Sequence, residues 1–277
     1  MSAISKDDVL SLREKTGAGL IDCKRALVES NGSLDEAISI LRKKGVATAA
    51  KKAGRDAGEG IVAQCLSENK TKGILVEVNC ETDFVAKNED FVAFASDVAS
   101  QLLIDPDTDL EAQRTEQVAK IGENIRISRS ACLSVPTNGI VESYVHTGGK
   151  VAVLLSISTG KSESASSNNL KELAKDLCMH IAATSPVCVS RDDVPQDLVQ
   201  KETEIAKAQA EGKPPQAIEK IVAGKLDKYF SNSCFLEQSF VKDPDQSIKD
   251  LLASLSNELS DEIKVESFLR FQVGEEV

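Results

Sequence analysis

Apolar residues recur at helical spacing in three short runs over roughly the first 45 positions. Ser5 and Asp8 form a capping-box pair ahead of Val9, Leu10 and Leu12, and Gly17-Ala18-Gly19 breaks that run. A second helix is predicted from about Asp22 to Ser30, with its stop at Asn31-Gly32. Ser33 and Glu36 open a third, which carries Ile38, Ile40 and Leu41 and is expected to end near Gly45. So short a trio buries a marginal core, which leaves two readings, a binding module or a stabilising cap. Arg42, Lys43, Lys44, Lys51, Lys52 and Arg55 follow with no acid among them. Their Ala-rich spacing predicts a helical linker that is either a solvated face or an anion site.

The period then shortens to that of a strand. One strand runs through Ile74, Leu75, Val76 and Val78 and stops at Glu81-Thr82-Asp83-Phe84-Val85. An internal repeat surrounds it. Gly60-Ile61-Val62 recurs as Gly139-Ile140-Val141, an offset of 79 residues. Without gaps, that offset carries Gly73-Ile74-Leu75-Val76 onto Ala152-Val153-Leu154-Leu155 and Phe94-Ala95 onto Leu173-Ala174. Identities are few but apolar positions stay in register, so two similar units of strand, turn, strand, loop and helix are predicted. The copies differ after the second strand. Where the first has Glu81-Thr82-Asp83-Phe84, the second has the polar run Gly160-Lys161-Ser162-Glu163, read as an ordinary loop. The shared architecture therefore does not require Phe84. That favours a contact site over a side chain folded back into the core.

Residues 106–128 read as a charged amphipathic helix, and a repeat helix is expected from about Leu170 to Ala183. Stretches 196–211 and 215–230, joined by Glu211-Gly212-Lys213-Pro214-Pro215, form an αα-hairpin. Its apolar residues Leu198, Ile205, Ala208, Ile218, Ile221, Leu226 and Tyr229 are sparse. They fit either a projecting coiled-coil arm, with a possible homodimer contact, or a hairpin packed on its own body. A helix near Ser247 to Asn257 and a strand with Leu269, Phe271 and Val273 on one face close the chain. The fold class is α+β. The expected division is 1–55 for the helical module and basic linker, 56–138 for one core subdomain, and 139–277 for the other, with 192–230 inserted as the hairpin.

Length and composition narrow the function. A chain of 277 residues with 41% hydrophobic and 28% charged residues fits a globular protein of more than one domain. A net charge of −11 argues against a general nucleic-acid binder and against an anionic membrane surface. No apolar run approaches the roughly 20 residues of a membrane span, and Met1-Ser2-Ala3-Ile4-Ser5-Lys6 lacks the apolar segment of a signal peptide. Seven scattered cysteines with no Cys-x-x-Cys predict free thiols in a reducing, cytoplasmic setting.

Reactive constellations are scarce. Gly17-x-Gly19 matches no phosphate-binding fingerprint. His180 sits on an apolar helix and reads as a packing residue; His146 follows a strand at a hairpin turn and is expected to be exposed. Cys80 with His146 makes a conceivable nucleophile pair lacking an orienting third group. Glu81 and Asp83 are a weak carboxylate pair. No enzyme, metal or cofactor is expected.

Two long segments carry a family resemblance. Leu12-Arg13-Glu14-Lys15-Thr16-Gly17-Ala18-Gly19-Leu20-Ile21-Asp22-Cys23-Lys24 and Glu77-Val78-Asn79-Cys80-Glu81-Thr82-Asp83-Phe84-Val85 resemble the elongation factor Ts family, the exchange factors for elongation factor Tu. Lys120-Ile121-Gly122-Glu123-Asn124-Ile125, Met179-His180-Ile181 and Phe268-Leu269-Arg270-Phe271 add support. The resemblance implies a ubiquitin-associated-like N-terminal domain, a core of two related halves and a hairpin able to dimerise. It implies a guanine-nucleotide exchange factor in which Thr82, Asp83, Phe84 and Val85 insert beside the partner's nucleotide site and disturb its Mg²⁺ and phosphate contacts. Arg13, Leu20, Ile21 and, more weakly, Lys24 would touch the nucleotide-binding domain. His146 would lie near the partner's distal barrel. Family members often carry Met where Leu20 and Ile21 stand, so that contact is expected to stay apolar but differ in shape; many continue past the final strand with an extra helix, whose contacts the resemblance does not carry over. A ubiquitin-like or peptide-binding adaptor is the alternative, resting on the three-helix module alone.

Overall fold

A computed structural model describes residues 4–135 and 138–275. Met1-Ser2-Ala3, part of the N-terminal reading above, and Glu276-Val277 lie outside the described residues. Helices α1 (Lys6–Thr16), α2 (Leu20–Glu29) and α3 (Leu34–Lys52) open the chain. The Ser5–Asp8 capping box forms in both directions, and Gly17 ends α1 in the left-handed region. At α3 only half of the predicted box is present: Ser33 accepts from the Glu36 amide. The three helices bury Leu12, Cys23, Ala26, Leu27 and Ala37 against one another.

Two expectations fail here. Helix α2 begins at Leu20, two residues earlier than predicted, and α3 does not stop at Gly45. The predicted linker is the second half of α3. Gly45 sits mid-helix because a neighbouring helix crosses there; a Cβ at Gly45 would come within 3.3 Å of the Ala119 Cβ. A glycine that reads as a terminator is instead a close-approach site.

Strands β1 (Glu59–Leu66) and β2 (Lys72–Cys80) follow, then a single turn α4 (Asp83–Ala86), and helices α5 (Glu89–Ile104) and α6 (Glu111–Ile121). Strand β3 (Arg126–Ser134) completes an antiparallel sheet of order β1-β2-β3. The single helix expected over 106–128 is therefore wrong: it is shorter, and its last part is β3. The second unit runs β4 (Gly139–Val145), β5 (Val151–Thr159), a turn α7 (Ser162–Ser166) and α8 (Asn168–Thr184). The segment read as a polar loop contains α7. Helices α9 (Gln196–Gln209) and α10 (Pro215–Ser233) form the hairpin. The separate two-stranded ribbon β6 (Ser239–Phe240) and β7 (Asp243–Ser247) and helix α11 (Ile248–Leu259) follow, and strand β8 (Ile263–Gln272) completes a second sheet of order β4-β5-β8. Val273 lies just past that strand and donates its amide to the Lys150 carbonyl.

The offset of 79 holds in three dimensions. β2 at Lys72–Cys80 maps onto β5 at Val151–Thr159, and both carry a register shift at equivalent places, Glu77/Val78 and Ser156/Ile157. The halves embrace through equivalent bonds. The Val62 amide donates to the Gly149 carbonyl at 2.7 Å, and the Val141 amide donates to the Lys70 carbonyl at 2.6 Å. Alternation sets the layers. Val62, Leu75, Val141 and Leu154 fill the space between the sheets. Ile61, Ile74, Val76 and Val78 pack under α5, while Ile140, Val153, Leu155 and Ile157 pack under α8 and α11. Both faces of β2 and β5 are thus covered, which is why they read as continuous apolar runs.

Candidate partner-binding site

The exit of β2 is held by short polar bonds. Thr82 caps α4, its hydroxyl accepting from the Val85 amide at 3.3 Å. That hydroxyl donates to Glu123 Oε1 at 2.7 Å, and Glu123 Oε2 accepts the Glu81 and Thr82 amides, both at 3.0 Å. Glu81 in turn accepts the Asn124 amide at 2.6 Å and pairs with Arg55 at 3.3 Å. The Asn124 bond, assisted by Arg55, holds the Glu81 carboxyl below the usual range. The buried Asn124 side chain reaches the Arg55 carbonyl at 2.8 Å and so ties the end of α3 to the same corner.

On this turn Ala86 is buried, but Phe84 is 82% exposed. The alternative in which Phe84 folds back into the core is excluded. Asp83 pairs with Lys87 at 2.8 Å; that bond holds its carboxyl below the usual range and raises the Lys87 ammonium. Val85 packs partly against the core beneath α5. Neither carboxylate of the weak Glu81/Asp83 pair is free, since each has its own cation.

The other predicted contacts fall on separate patches. Leu20 and Ile21 start α2 and are 44% and 69% exposed, while Arg13 on α1 and Lys24 on α2 are also exposed. Helix α3 carries this module onto α6, and Lys120 of α6 pairs with Asp90 at the start of α5. His146 is exposed at the β4–β5 turn, with Nδ1 at 2.9 Å from the Tyr144 hydroxyl. Lys150 of that turn pairs with Glu59, whose register partner is Cys80 at the end of β2. The His146 turn and the Phe84 turn therefore share one edge of the molecule.

The conceivable nucleophile is unsuited to the task. Cys80 is fully buried, its Sγ–H donates to the Thr82 carbonyl, and burial pushes the thiol up to about 12. Among the described residues no group of His, Cys, Asp and Glu could hold a metal ion, and no helix is long and apolar enough to cross a membrane.

The hairpin is rooted at its base. Cys188, Val194 and Cys234 pack with Leu198, Val199, Tyr229 and Phe230. Arg191 pairs with Asp227 and Glu237 and lies 4.8 Å over the Phe230 ring. Further out, α10 buries no residue and α9 buries only Ala206, with Ile205 half exposed. A hairpin packed along its own body would bury more, so the projecting-arm reading describes it better.

The family model described as "Elongation factor TS" matches residues 81–275. This chain belongs to the elongation factor Ts family. An elongation factor Ts of Clostridium perfringens is 46% identical, over 98% of this chain and 93% of the relative. Those of a Clostridium botulinum strain and of Nautilia profundicola are 44% and 42% identical, over 98% and 99% of this chain. Family membership makes the chain an elongation factor of protein biosynthesis, and a nucleotide-exchange role in translation elongation follows from it. Glu123 and Asn124 lie in one of the segments that carry the resemblance, yet their bonding to the Phe84 turn was not read from the sequence. Two polar residues just past a helix end carry no periodicity to mark them.

Proposed function

We propose that this chain is a non-enzymatic guanine-nucleotide exchange factor that binds elongation factor Tu in the cytoplasm and promotes GDP release. The observation that carries the reading is Phe84, a large ring almost fully exposed on an ordered turn at a strand exit, in a chain with 4% aromatic residues. A partner's phosphates and Mg²⁺ are held by backbone N–H groups and oxygen ligands in fixed geometry, so a wedge that shifts those groups removes much of the affinity. Burying Phe84 in a partner pocket supplies about 1.5–3 kcal/mol, or roughly one to two decades of coupling. Linkage requires that GDP weaken this chain's binding by the same factor.

In this reading Thr82–Val85 form the inserting turn, with Arg13, Leu20, Ile21 and Lys24 as an apolar and basic second contact and His146 as a third. The 1–55 module, the 56–138 and 139–277 halves and the 192–230 arm are the working units, and the arm pairs with a second copy. The exposed Leu20 and Ile21 also fit an adaptor for ubiquitin-like proteins or peptides, which leaves the Phe84 turn without a role. The test is release of a fluorescent GDP analogue from purified elongation factor Tu. Acceleration at substoichiometric amounts of this chain is expected; no acceleration by folded protein would favour the adaptor.

A further inference from the structure

Phe84 makes almost no contact with its own chain, so its packing does not order the turn that bears it. A helix of four residues is too short to hold itself together. Val85 and Ala86 pack its inner side against the core, and the Glu123 carboxylate fixes its start, accepting three bonds at 2.7–3.0 Å from Thr82 Oγ1 and from the Glu81 and Thr82 amides. Glu123 stands on a short connection fixed on both sides. Gly122 ends α6 in the left-handed region, and Asn124 and Ile125 are buried. The contact is reciprocal, since Glu81 accepts the Asn124 amide.

The second half supplies an internal comparison. Lys161, the equivalent of Thr82, donates its amide to Asp261 at 2.9 Å, ahead of β8. An acid beneath this turn therefore belongs to the shared architecture. The second turn has no side-chain cap, however, and carries Lys161 at that position; Asp261 takes its hydroxyl contact from Ser164 instead, the equivalent of Val85. What the half with the exposed Phe adds is a single hydroxyl, that of Thr82, which donates to the acid and caps the turn by accepting the Val85 amide.

We propose that Glu123 is a positioning residue for exchange, whose carboxylate sets the Phe84 turn in its binding form before the partner arrives. This rests on the exchange reading above. When only a fraction of the chain holds the competent form, apparent affinity falls by that fraction. Phe84 itself is unchanged, so the saturated rate is kept.

The experiment measures the exchange rate against factor concentration for wild type, Phe84→Ala, Glu123→Ala, Glu123→Gln and Thr82→Val, with amide hydrogen exchange at Val85 on the free proteins. Glu123→Ala is expected to raise the half-maximal concentration by about tenfold, keep the saturated rate within about twofold, and lose Val85 protection. Glu123→Gln, which retains one acceptor oxygen, is expected in between. The Thr82→Val and Glu123→Ala effects should be strongly non-additive. Phe84→Ala should instead lower the saturated rate. A Glu123→Ala protein with wild-type half-maximal concentration and Val85 protection overturns the proposal. Should that variant fail to fold, a Glu123→Gln protein indistinguishable from wild type overturns it instead. If wild type itself does not accelerate release, the exchange reading fails; the Val85 protection data still decide whether Glu123 orders the turn.

Discussion

Gly60 and Gly139 occupy equivalent places in the two halves, each at φ +146° and each against a carbonyl of the neighbouring strand, Val78 for Gly60 and Ile157 for Gly139. Those carbonyls follow the equivalent register shifts in β2 and β5. A side chain tolerates neither that backbone region nor that contact. Gly60→Ala and Gly139→Ala are each expected to destabilise the protein by about 1–3 kcal/mol or more, read from urea midpoints. A loss under about 0.5 kcal/mol, the range of an ordinary surface substitution, would contradict the account of the repeat.

His180 is a buried, neutral histidine. Its Nδ1 accepts the Val241 amide at 3.3 Å, which puts the proton on Nε2, where it is donated to Gln238 Oε1 at 2.9 Å. Burial lowers its pKa below the ordinary 6.5, against the opposing effect of Gln238. The unfolded chain binds a proton near that value while the fold resists it, so stability is lost as pH falls below about 6.5. Melting temperature measured from about pH 7 to about pH 5 should fall less steeply in His180→Gln than in wild type. Equal slopes would show that His180 is not the titrating group.

Thiol reactivity should follow burial. Cys80 and Cys178 are fully buried, and burial pushes both thiols well above their ordinary value. Cys132 is exposed. Iodoacetamide followed by mass spectrometry should label Cys132 first and reach Cys80 and Cys178 only on unfolding. Rapid native labelling of Cys80 would reopen its reading as a nucleophile.

The arm carries the oligomer prediction. Deletion of 192–230, closed where the backbones of Cys188 and Cys234 pair side by side, their thiols free, should convert a dimer to a monomer in light scattering while exchange chemistry persists. An unchanged mass per particle would remove the arm from any dimer contact.

Much of the fold was legible because β2, β5 and their helices keep a strong period over the repeat. Strand β3 was not. One of its inward positions is Arg129, which pairs with the buried Glu77 at 2.7 Å and lies 4.2 Å over the Phe271 ring. A charged residue there breaks the alternation a strand is recognised by. Helix α3 was cut short at Gly45 because close packing against Ala119 leaves the same signature as a stop. At the site, the odd placement of Phe84 was visible by comparing the two copies. Its support was not, since Thr82 and Glu123 are 41 residues apart and nothing local links them.

Phe84→Ala in the GDP-release assay tests the central claim most directly. With the side chain 82% exposed, the substitution should leave the denaturation midpoint unchanged while slowing catalysed release by roughly ten- to a hundredfold. A wild-type release rate from the folded variant would contradict the assignment of the Phe84 turn as the element that opens the nucleotide site.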